Sequence, residues 1–301
     1  PNLSNRYDVN YQVPVGNDGW SVGARIWKST YQIGADFSSV QPYGYSQAAG
    51  VNAGYALLRN ETARSDWRFG YNHVNLSENY LSGTVTNPRQ IDIVWTDLGG
   101  TYSDHLLETS ASTNWLVNLT SGNLSVDPSS YNYSTQQGAS NYSVVSYQYS
   151  REQLIDSGFS VFGNVRGQSA STNLDPYQKF NIGGPLAVRA YPVGEVTADD
   201  VVLGTIELRY TQPFEYEGQS GYARIAAFYD SAWARINHNV LATQTTDNST
   251  NLAGYGLELN VGLGKNFMSR LYVAQVSSNQ YGASRIDQSN SRVGVQLSFG
   301  F

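Results

Sequence analysis

The chain has 301 residues, carries a formal net charge of −6 and contains no cysteine, which excludes disulfides, thiolate metal sites and a cysteine nucleophile. Charged residues make up only 14% of the sequence, well below the roughly 25% of an average soluble protein. No basic cluster predicts a nucleic-acid partner, and no run of about 18 apolar residues predicts a membrane-spanning helix.

Apolar and polar residues alternate with a period of two along most of the chain. This is the pattern of β-strands, and no segment of similar length has a helical period. Near the start, Trp20, Val22, Ala24 and Ile26 alternate with Ser21, Gly23 and Arg25. In chain order, the predicted strands are residues 6–14, 20–33, 46–59, 65–78, 91–102, 106–119, 140–151, 157–171, 203–214, 221–234, 252–265, 269–279 and 290–301.

The predicted connections alternate between short turns and long loops. The short ones are residues 15–19, 60–64, 152–156, 215–220 and 266–268, and the long ones include 81–90, 121–139, 172–202 and 235–251. Short periplasmic turns opposite longer extracellular loops are typical of outer-membrane barrels. A soluble β-sandwich, the alternative, has no reason to sort its loops by length. We therefore predict an all-β fold, a transmembrane antiparallel β-barrel that forms a single domain over residues 1–301.

The last predicted strand ends on an aromatic side chain. Its apolar face consists of Val293, Val295, Leu297, Phe299 and Phe301, and polar or small residues form the other face. A strand with one face toward lipid and one toward an aqueous lumen has this alternation. The terminal aromatic residue resembles the C-terminal signal of bacterial outer-membrane β-barrels. For this segment alone, a half-buried strand of a soluble protein is the alternative.

The odd number of predicted strands carries a further expectation. Bacterial single-chain barrels have an even number of strands, because both chain ends start in the periplasm. Since the first predicted strand runs into a short turn, residue 1 would lie outside the cell. We therefore expect an odd number of leading strands to precede this chain, with a missed or merged strand as the alternative.

Two short motifs stand in the longest loop and in a strand that follows it. The loop motif consists of Gly183 and Gly184 followed by Val188, Arg189, Ala190 and Tyr191, and the strand motif consists of Phe228, Asp230 and Ala232. Together with the C-terminal Phe, they resemble the TpsB transporters of two-partner secretion. In that superfamily, which includes the barrel-assembly insertases, the sixth extracellular loop carries Val-Arg-Gly-Phe/Tyr and a later strand carries Phe/Gly-x-Asp-x-Gly.

This chain departs from the family pattern at two positions. Ala190 and Ala232 stand where the family commonly has Gly. Because alanine does not readily adopt a positive φ, the loop tip is expected to differ slightly in shape. The Arg and the Asp of the two motifs, Arg189 and Asp230, are kept.

The resemblance implies an architecture and a function. TpsB barrels have sixteen strands, with the motif loop between the eleventh and twelfth, so three leading strands, POTRA domains and a plugging helix would precede this chain. The implied activity is secretion of a large unfolded exoprotein, an adhesin, a haemolysin or a contact-dependent inhibition toxin, across the bacterial outer membrane. The implied partners are outer-membrane lipid, a cognate TpsA-type exoprotein and the barrel-assembly machinery, and the implied protein is not an enzyme and uses no cofactor. A passive porin and a barrel-assembly insertase are the alternatives.

Strand parity predicts which side chains share the lumen with the motif loop. Asp230 and Phe228 fall on the inner face of their strand, and Glu207 and Arg209 fall on the inner face of the preceding one. A loop of about 30 residues folded back on itself reaches about 50 Å at ~3.3 Å per residue, so it can enter the lumen and bring Arg189 to Asp230. The planar guanidinium group binds a carboxylate through two hydrogen bonds. The alternative is a solvated loop arginine.

Other polar residues of the sequence are expected to have ordinary roles. The histidines, His73, His105 and His238, lack the spacing of metal ligands, and Asp199 and Asp200 are expected to be solvated in the loop. An exposed Arg–Asp pair contributes only about 0–1 kcal/mol. We therefore expect Arg189 and Asp230 to position the loop rather than to stabilise the barrel.

Overall fold

The computed structural model describes residues 3–32, 43–80, 83, 85–126, 140–241, 247–277 and 290–300. This part of the chain is built almost entirely from β-strands, and no helix in it is long and apolar enough to cross a membrane. Thirteen strands form one antiparallel sheet and two short strands form a second sheet. The predicted all-β antiparallel class is confirmed.

The strands follow one another as antiparallel neighbours. They are β1 (Leu3–Val15), β2 (Trp20–Gln32), β3 (Tyr43–Arg59), β4 (Ala63–Tyr80), β5 (Val85–Asp104), β6 (Ala111–Val126), β7 (Asn141–Asp156), β8 (Phe159–Ala170), β9 (Phe180–Asn181), β10 (Thr197–Ala198), β11 (Asp200–Tyr216), β12 (Gln219–Arg235), β13 (Ser249–Leu263), β14 (Phe267–Val276) and β15 (Ser291–Phe299). Within the large sheet, β8 pairs directly with β11. The two short strands between them in the sequence, β9 and β10, pair with each other as a separate hairpin in the loop.

The largest error of the predicted strands concerns the sixth. The sequence predicts it at residues 106–119, but residues Leu106–Glu108 form a short 3-10 helix and β6 runs from Ala111 to Val126, into the loop predicted at 121–139. The side chain of Asp104 accepts a 2.9 Å hydrogen bond from the backbone N–H of Leu106, and Glu108 has a φ of 62°. These features turn the chain between β5 and β6, and no period of two in the sequence reveals them.

The described residues group into two compact units. The first contains residues from Pro1–Gly100, Val117–Val145 and Ala170–Tyr177, and the second contains residues from Thr101–Leu116, Ser146–Ser169 and Gln178–Phe301. The apolar core of the first unit includes Val74, Leu76, Ile91, Ile93, Leu124, Tyr142, Val144 and Leu174. The core of the second includes Ile182, Val188, Tyr191, Leu203, Phe228, Leu252 and Tyr272. Residues of the motif loop therefore contribute to both cores.

In the second unit, the two faces of the sheet differ sharply in character. On β11 and β12, Ile206, Leu208 and Ile225 are each more than half exposed, whereas the alternate residues Glu207, Phe228 and Asp230 are buried. β15 likewise exposes Val293, Val295, Leu297 and Phe299, while Phe301 lies outside the described residues. Rows of exposed apolar side chains that alternate with buried polar ones are the pattern of strands in contact with lipid.

Candidate functional site

The motif loop, residues 172–202 as defined from the sequence, is folded around the β9–β10 hairpin. Asn181 pairs with Thr197 and Phe180 pairs with Ala198. Next to this pairing, the side-chain oxygen of Asn181 accepts hydrogen bonds from the backbone N–H groups of Gly183 (3.1 Å) and Gly194 (3.3 Å). These bonds satisfy two backbone donors and hold the base of the loop tip together.

The two glycines of the loop motif each meet a steric requirement. Gly184 has a φ of +109°, a conformation that residues with a side chain rarely adopt. A Cβ atom on Gly183 would lie 2.2 Å from the carbonyl oxygen of Pro192. The Gly183-Gly184 pair therefore allows the chain to turn sharply and to pass close to its own backbone.

Beyond the glycines, the loop tip buries the four residues of the motif that follow. The backbone N–H of Val188 donates to the carbonyl of Ile182 at 3.0 Å, and that of Tyr191 donates to the carbonyl of Val188 at 3.1 Å. Val188, Ala190 and Tyr191 are buried in the apolar core of the second unit. Their packing presents Arg189, which lies between them in the sequence, to the sheet.

Arg189 binds Asp230 of β12 through three hydrogen bonds. Its Nε donates to Oδ2 and its Nη2 donates to Oδ1, both at 2.8 Å, and its backbone N–H donates to Oδ2 at 3.1 Å. Asp230 Oδ1 also accepts a 2.9 Å hydrogen bond from the hydroxyl of Thr205 on β11. The two-pronged side-chain contact is the geometry in which arginine binds a carboxylate most strongly.

Two glutamates and two further arginines surround this pair. Arg189 Nη2 lies 2.8 Å from Glu207 Oε1, and Arg189 Nη1 donates to Glu258 Oε2 at 2.8 Å. Arg209 Nε in turn donates to Glu207 at 2.8 Å, and Arg270 Nη2 donates to Glu258 at 2.7 Å. With Asp230 included, three carboxylates bind three arginines, so the charges within this set balance.

Aromatic and small residues complete the seat of the guanidinium group. Arg189 Cζ lies 3.4 Å from the ring centroid of Phe228, a cation–π contact on the residue that opens the strand motif. Phe228 pairs across the strands with Gly256, and Asp230 pairs with Gly254. A Cβ atom on Gly256 would lie 2.7 Å from the Phe228 ring. The glycines of β13 therefore leave the space that the motif side chains occupy.

Ala190 fits the same surface without backbone strain. A Cβ atom on Gly254 would lie only 2.5 Å from the Cβ of Ala190, so the methyl group sits directly over this glycine. Within the described residues, positive φ values outside glycine occur only at Glu108 and Glu217. Ala190 and Ala232 thus keep ordinary backbone conformations, and the glycine that complements Ala190 stands on β13.

The Arg189–Asp230 pair is buried, with side-chain exposures of 4% and 0%. The sequence analysis expects the pair to contribute little to stability because it treats the two side chains as exposed. That assumption is wrong. Removing one partner of a buried pair leaves an uncompensated charge and costs about 3–5 kcal/mol. Burial alone would lower the pKa of Arg189, but its bond to Asp230 and the charges of Glu207 and Glu258 outweigh burial and raise that pKa. Arg189 is therefore a permanent cation.

The structure does not gather every predicted residue at this pair. Ala232, two residues beyond Asp230, is buried in the apolar core, and Gly183 and Gly184 shape the loop. Arg209 lies on the same face of the sheet as Glu207. Its guanidinium group stacks on the ring of Phe162 and donates a hydrogen bond to Glu152. Phe299 lies on the exposed face of β15, where its ring centroid is 5.4 Å from that of Phe267.

Five residues of the site were not predicted, namely Thr205, Gly254, Gly256, Glu258 and Arg270. The sequence carries a partial signal for Glu258, because this residue alternates with Leu257 and Leu259. In the structure both leucines are exposed and Glu258 lies on the opposite, buried face. The sequence does not give the cross-strand register that aligns Asp230 with Gly254.

Asp199 and Asp200 are buried rather than solvated, contrary to the expectation from sequence. Asp199 is 0% and Asp200 is 4% exposed. Lys179 Nζ lies 3.2 Å from Asp199, Arg235 Nε donates to Asp200 at 2.8 Å, and the backbone N–H of His238 donates to Asp199 at 2.9 Å. These contacts fix the junction between the motif loop and β11 to the end of β12 and the residues just after it. Among the described residues, no group of three or more His, Asp or Glu side chains is placed to hold a metal ion.

Comparison with protein families assigns most of the chain to one family. Residues 1–261 match the model of the family described as haemolysin secretion/activation protein ShlB/FhaC/HecB. The chain belongs to this family. Its fold and family make it an outer-membrane β-barrel protein, as the sequence predicted.

Curated relatives of the chain are transporters by name. It is 24% identical over 253 residues to the heme/hemopexin transporter protein HuxB of Haemophilus influenzae strain 86-028NP, an alignment that covers 83% of this chain and 44% of the relative. A second HuxB of Haemophilus influenzae is 25% identical over 268 residues, covering 87% and 46% of the two chains. The chain therefore spans a little under half the length of these relatives.

Solved structures share the fold over nearly the whole chain. CdiB from Escherichia coli superimposes with a TM-score of 0.75 at 14% identity, covering 99% of this chain and 53% of that one. CdiB from Acinetobacter baumannii gives 0.69 at 17% identity, covering 99% and 50%. BamA from Haemophilus ducreyi lacking POTRA domains 1–3 gives 0.61 at 14% identity, covering 98% and 62%.

Proposed function

We propose that the chain forms the barrel of a TpsB-type transporter, which passes a large unfolded exoprotein from the periplasm to the cell surface through its lumen. The observation that carries the proposal is the burial of Arg189 of the motif loop against Asp230 of β12. This contact occurs in a chain of the ShlB/FhaC/HecB family. It holds a long loop over the sheet face that a translocated chain would pass.

The charged cluster supports a loop that can leave its seat. If Arg189 moves away, Glu207 keeps its bond to Arg209 and Glu258 keeps its bond to Arg270. Neither glutamate then becomes a buried charge without a cation, so the cost of release falls mainly on Asp230. We propose that the loop rests in the channel and shifts during transport. Folding of the exoprotein outside the cell draws the chain forward.

The family match favours export over the two alternatives. A passive porin shares the strand alternation and loop asymmetry, but it does not require a buried Arg–Asp seat for a loop. The structural similarity to BamA speaks for a shared fold, and the insertase remains the second candidate because it uses that fold. The match to the haemolysin secretion/activation family, over residues 1–261, supports a transporter instead.

The proposed partners follow from the same assignment. They are outer-membrane lipid, a cognate TpsA-type exoprotein and, during insertion, the barrel-assembly machinery. The cargo belongs to the class of large secreted proteins that includes adhesins, haemolysins and contact-dependent inhibition toxins. The curated relatives are named as heme/hemopexin transporters rather than as enzymes. We propose that this chain likewise has no catalytic activity and no cofactor, and that residues 1–301 form one barrel domain.

Export of the exoprotein by the full-length protein tests the proposal. Wild type, Arg189→Ala and the control Arg59→Ala are expressed in an outer membrane, and exoprotein is quantified in the medium. Arg59 forms an exposed pair with Asp66 at 2.9 Å, so its loss changes the same charge without touching the motif loop. We expect Arg189→Ala to reduce export about tenfold or more, because the proposed cycle starts from the seated loop and loss of a buried pair, about 3–5 kcal/mol, depopulates that seated state more than tenfold.

The possible outcomes separate the candidate functions. Export by wild type and Arg59→Ala that fails in Arg189→Ala, at equal barrel levels, supports transport with the motif loop in its mechanism. Equal export by all three proteins keeps the transporter and removes the role of Arg189. Absence of export in wild type, together with uptake of small solutes, points to a porin.

A further inference from the structure

The first arm of the motif loop, residues 172–177, is held separately from the Arg189 cluster. These residues belong to the first compact unit, whereas the loop from Gln178 onward belongs to the second. Leu174 is only 3% exposed and packs in the apolar core of the first unit with Val74, Ile91 and Leu124. The arm is therefore anchored by packing before the chain reaches the motif.

A buried ion pair fixes the same arm to β5. Arg89 Nε lies 2.7 Å from Asp175 Oδ2, and the two side chains are 3% and 0% exposed. Arg89 Nη2 also donates to Glu78 on β4 at 2.8 Å. The other oxygen of Asp175 accepts a 2.9 Å hydrogen bond from the backbone N–H of Tyr177, which closes a turn in the arm. Asp175 thus joins the loop to the sheet and also shapes the loop.

An aromatic contact follows directly after this turn. The ring of Tyr177 stacks on the ring of Trp27 from β2, with centroids 6.4 Å apart and planes 12° apart. Arg6 Cζ also lies 5.4 Å from the ring centroid of the same indole. Apolar packing by Leu174, an ion pair by Asp175 and stacking by Tyr177 therefore act together within four residues.

We propose that Asp175 and Arg89 form a second latch of the motif loop, which keeps the first arm on the sheet when Arg189 leaves Asp230. The inference rests on the proposed transport function. The two ion pairs share no residue, so one can open while the other stays closed. With the second latch closed, a displaced loop stays attached and can return to its seat. With the latch removed, a loop that has left Asp230 is no longer held on the sheet, and small solutes pass while it is displaced.

The test uses Asp175→Asn in the full-length protein, with Asp66→Asn as the matched control. Asp66 is 44% exposed in its pair with Arg59, so the control removes one carboxylate from an exposed pair in the same unit. Two readouts report on the loop: uptake of an antibiotic too large for ordinary porins, and trypsin cleavage after Lys179 on intact cells. We expect both to rise several-fold in Asp175→Asn and to stay at wild-type values in Asp66→Asn, with equal barrel amounts.

A second variant keeps the latch testable if Asp175→Asn does not assemble. Tyr177→Leu removes the stacking on Trp27 while both charges stay in place, and it is expected to raise the same two readouts to a smaller extent. Antibiotic uptake and cleavage at wild-type values in an assembled Asp175→Asn barrel would overturn the latch. Because neither readout requires exoprotein, a protein that exports nothing would count against the transport function while still reporting on the latch.

Discussion

At the scale of single residues, the seat of Arg189 depends on what β13 lacks. Asp230 and Phe228 supply the charge and the ring, but glycines opposite them provide the space. Ala190 uses that space, since its methyl group lies where a side chain on Gly254 would be. The alanine in the loop motif and the glycine on β13 are therefore complementary, and each constrains the other.

This complementarity predicts a coupled pair of substitutions. Gly254→Ala places its Cβ 2.5 Å from that of Ala190, and overpacking of this kind costs about 1–3 kcal/mol. Ala190→Gly in the same protein removes that contact and is expected to restore part of the loss. The measurement is trypsin cleavage within the loop, compared across the two single variants and the double variant.

Gly163→Ala is the matched control for the coupled pair. It lies on β8, and an added Cβ there has no heavy atom within 4 Å. The same glycine-to-alanine change should therefore leave cleavage of the loop unchanged. Additive effects of Gly254→Ala and Ala190→Gly, with no rescue in the double variant, would argue against the contact between them.

At the scale of elements, the motif loop is an ordered structure with its own hairpin. β9 and β10 bring its two halves together, and Asn181 holds the turn by accepting bonds from Gly183 and Gly194. Buried contacts of Asp199 and Asp200 fix its last residues to the end of β12 and to His238. The loop therefore presents Arg189 on a rigid base.

Two loop glycines should differ in their tolerance of a side chain. Gly184 and Gly194 both have positive φ values, +109° and +83°. A Cβ on Gly184 would also lie 2.6 Å from Val193, whereas one on Gly194 meets nothing within 4 Å. Backbone strain of this kind costs about 1–3 kcal/mol. We expect Gly184→Ala to raise loop cleavage by trypsin more than Gly194→Ala, and the reverse order would contradict this structure of the turn.

Much of this element structure could be predicted from the sequence. Alternation placed thirteen strands and separated the exposed face of β12, with Ile225, from the buried face, with Asp230. The 3-10 helix before β6 escaped prediction because it depends on a local bond to Asp104 and a positive φ at Glu108. The burial of Asp199 and Asp200 escaped prediction because their partners come from distant parts of the chain.

At the scale of the whole molecule, family motifs identified the loop and the strand that bear Arg189 and Asp230. What they could not supply was the surrounding charge balance. Glu258 and Arg270 come from β13 and β14, and their positions depend on strand register rather than on any motif. The cluster explains how the buried Arg189 is held firmly and can still leave. Glu207 and Glu258 keep other arginine partners, so the cost of an unpaired charge falls mainly on Asp230.

A reversible lock on the loop tests most directly whether the loop must leave its seat for export. These 301 residues contain no cysteine, so Ala190→Cys combined with Gly254→Cys introduces the only two thiols within them. Their Cβ atoms would lie 2.5 Å apart, and a shift of about 1 Å gives the ~3.8 Å separation of a disulfide. Single-cysteine variants serve as controls for the effect of each substitution.

Export is measured from the full-length double-cysteine protein before and after reduction. The loop mechanism predicts no export while the disulfide is closed and recovery of export when a reductant opens it, whereas the export of each single-cysteine variant should not change with the reductant. Undiminished export by a barrel whose disulfide is shown to be closed would contradict the mechanism, because the exoprotein would then pass a loop that had never left Asp230.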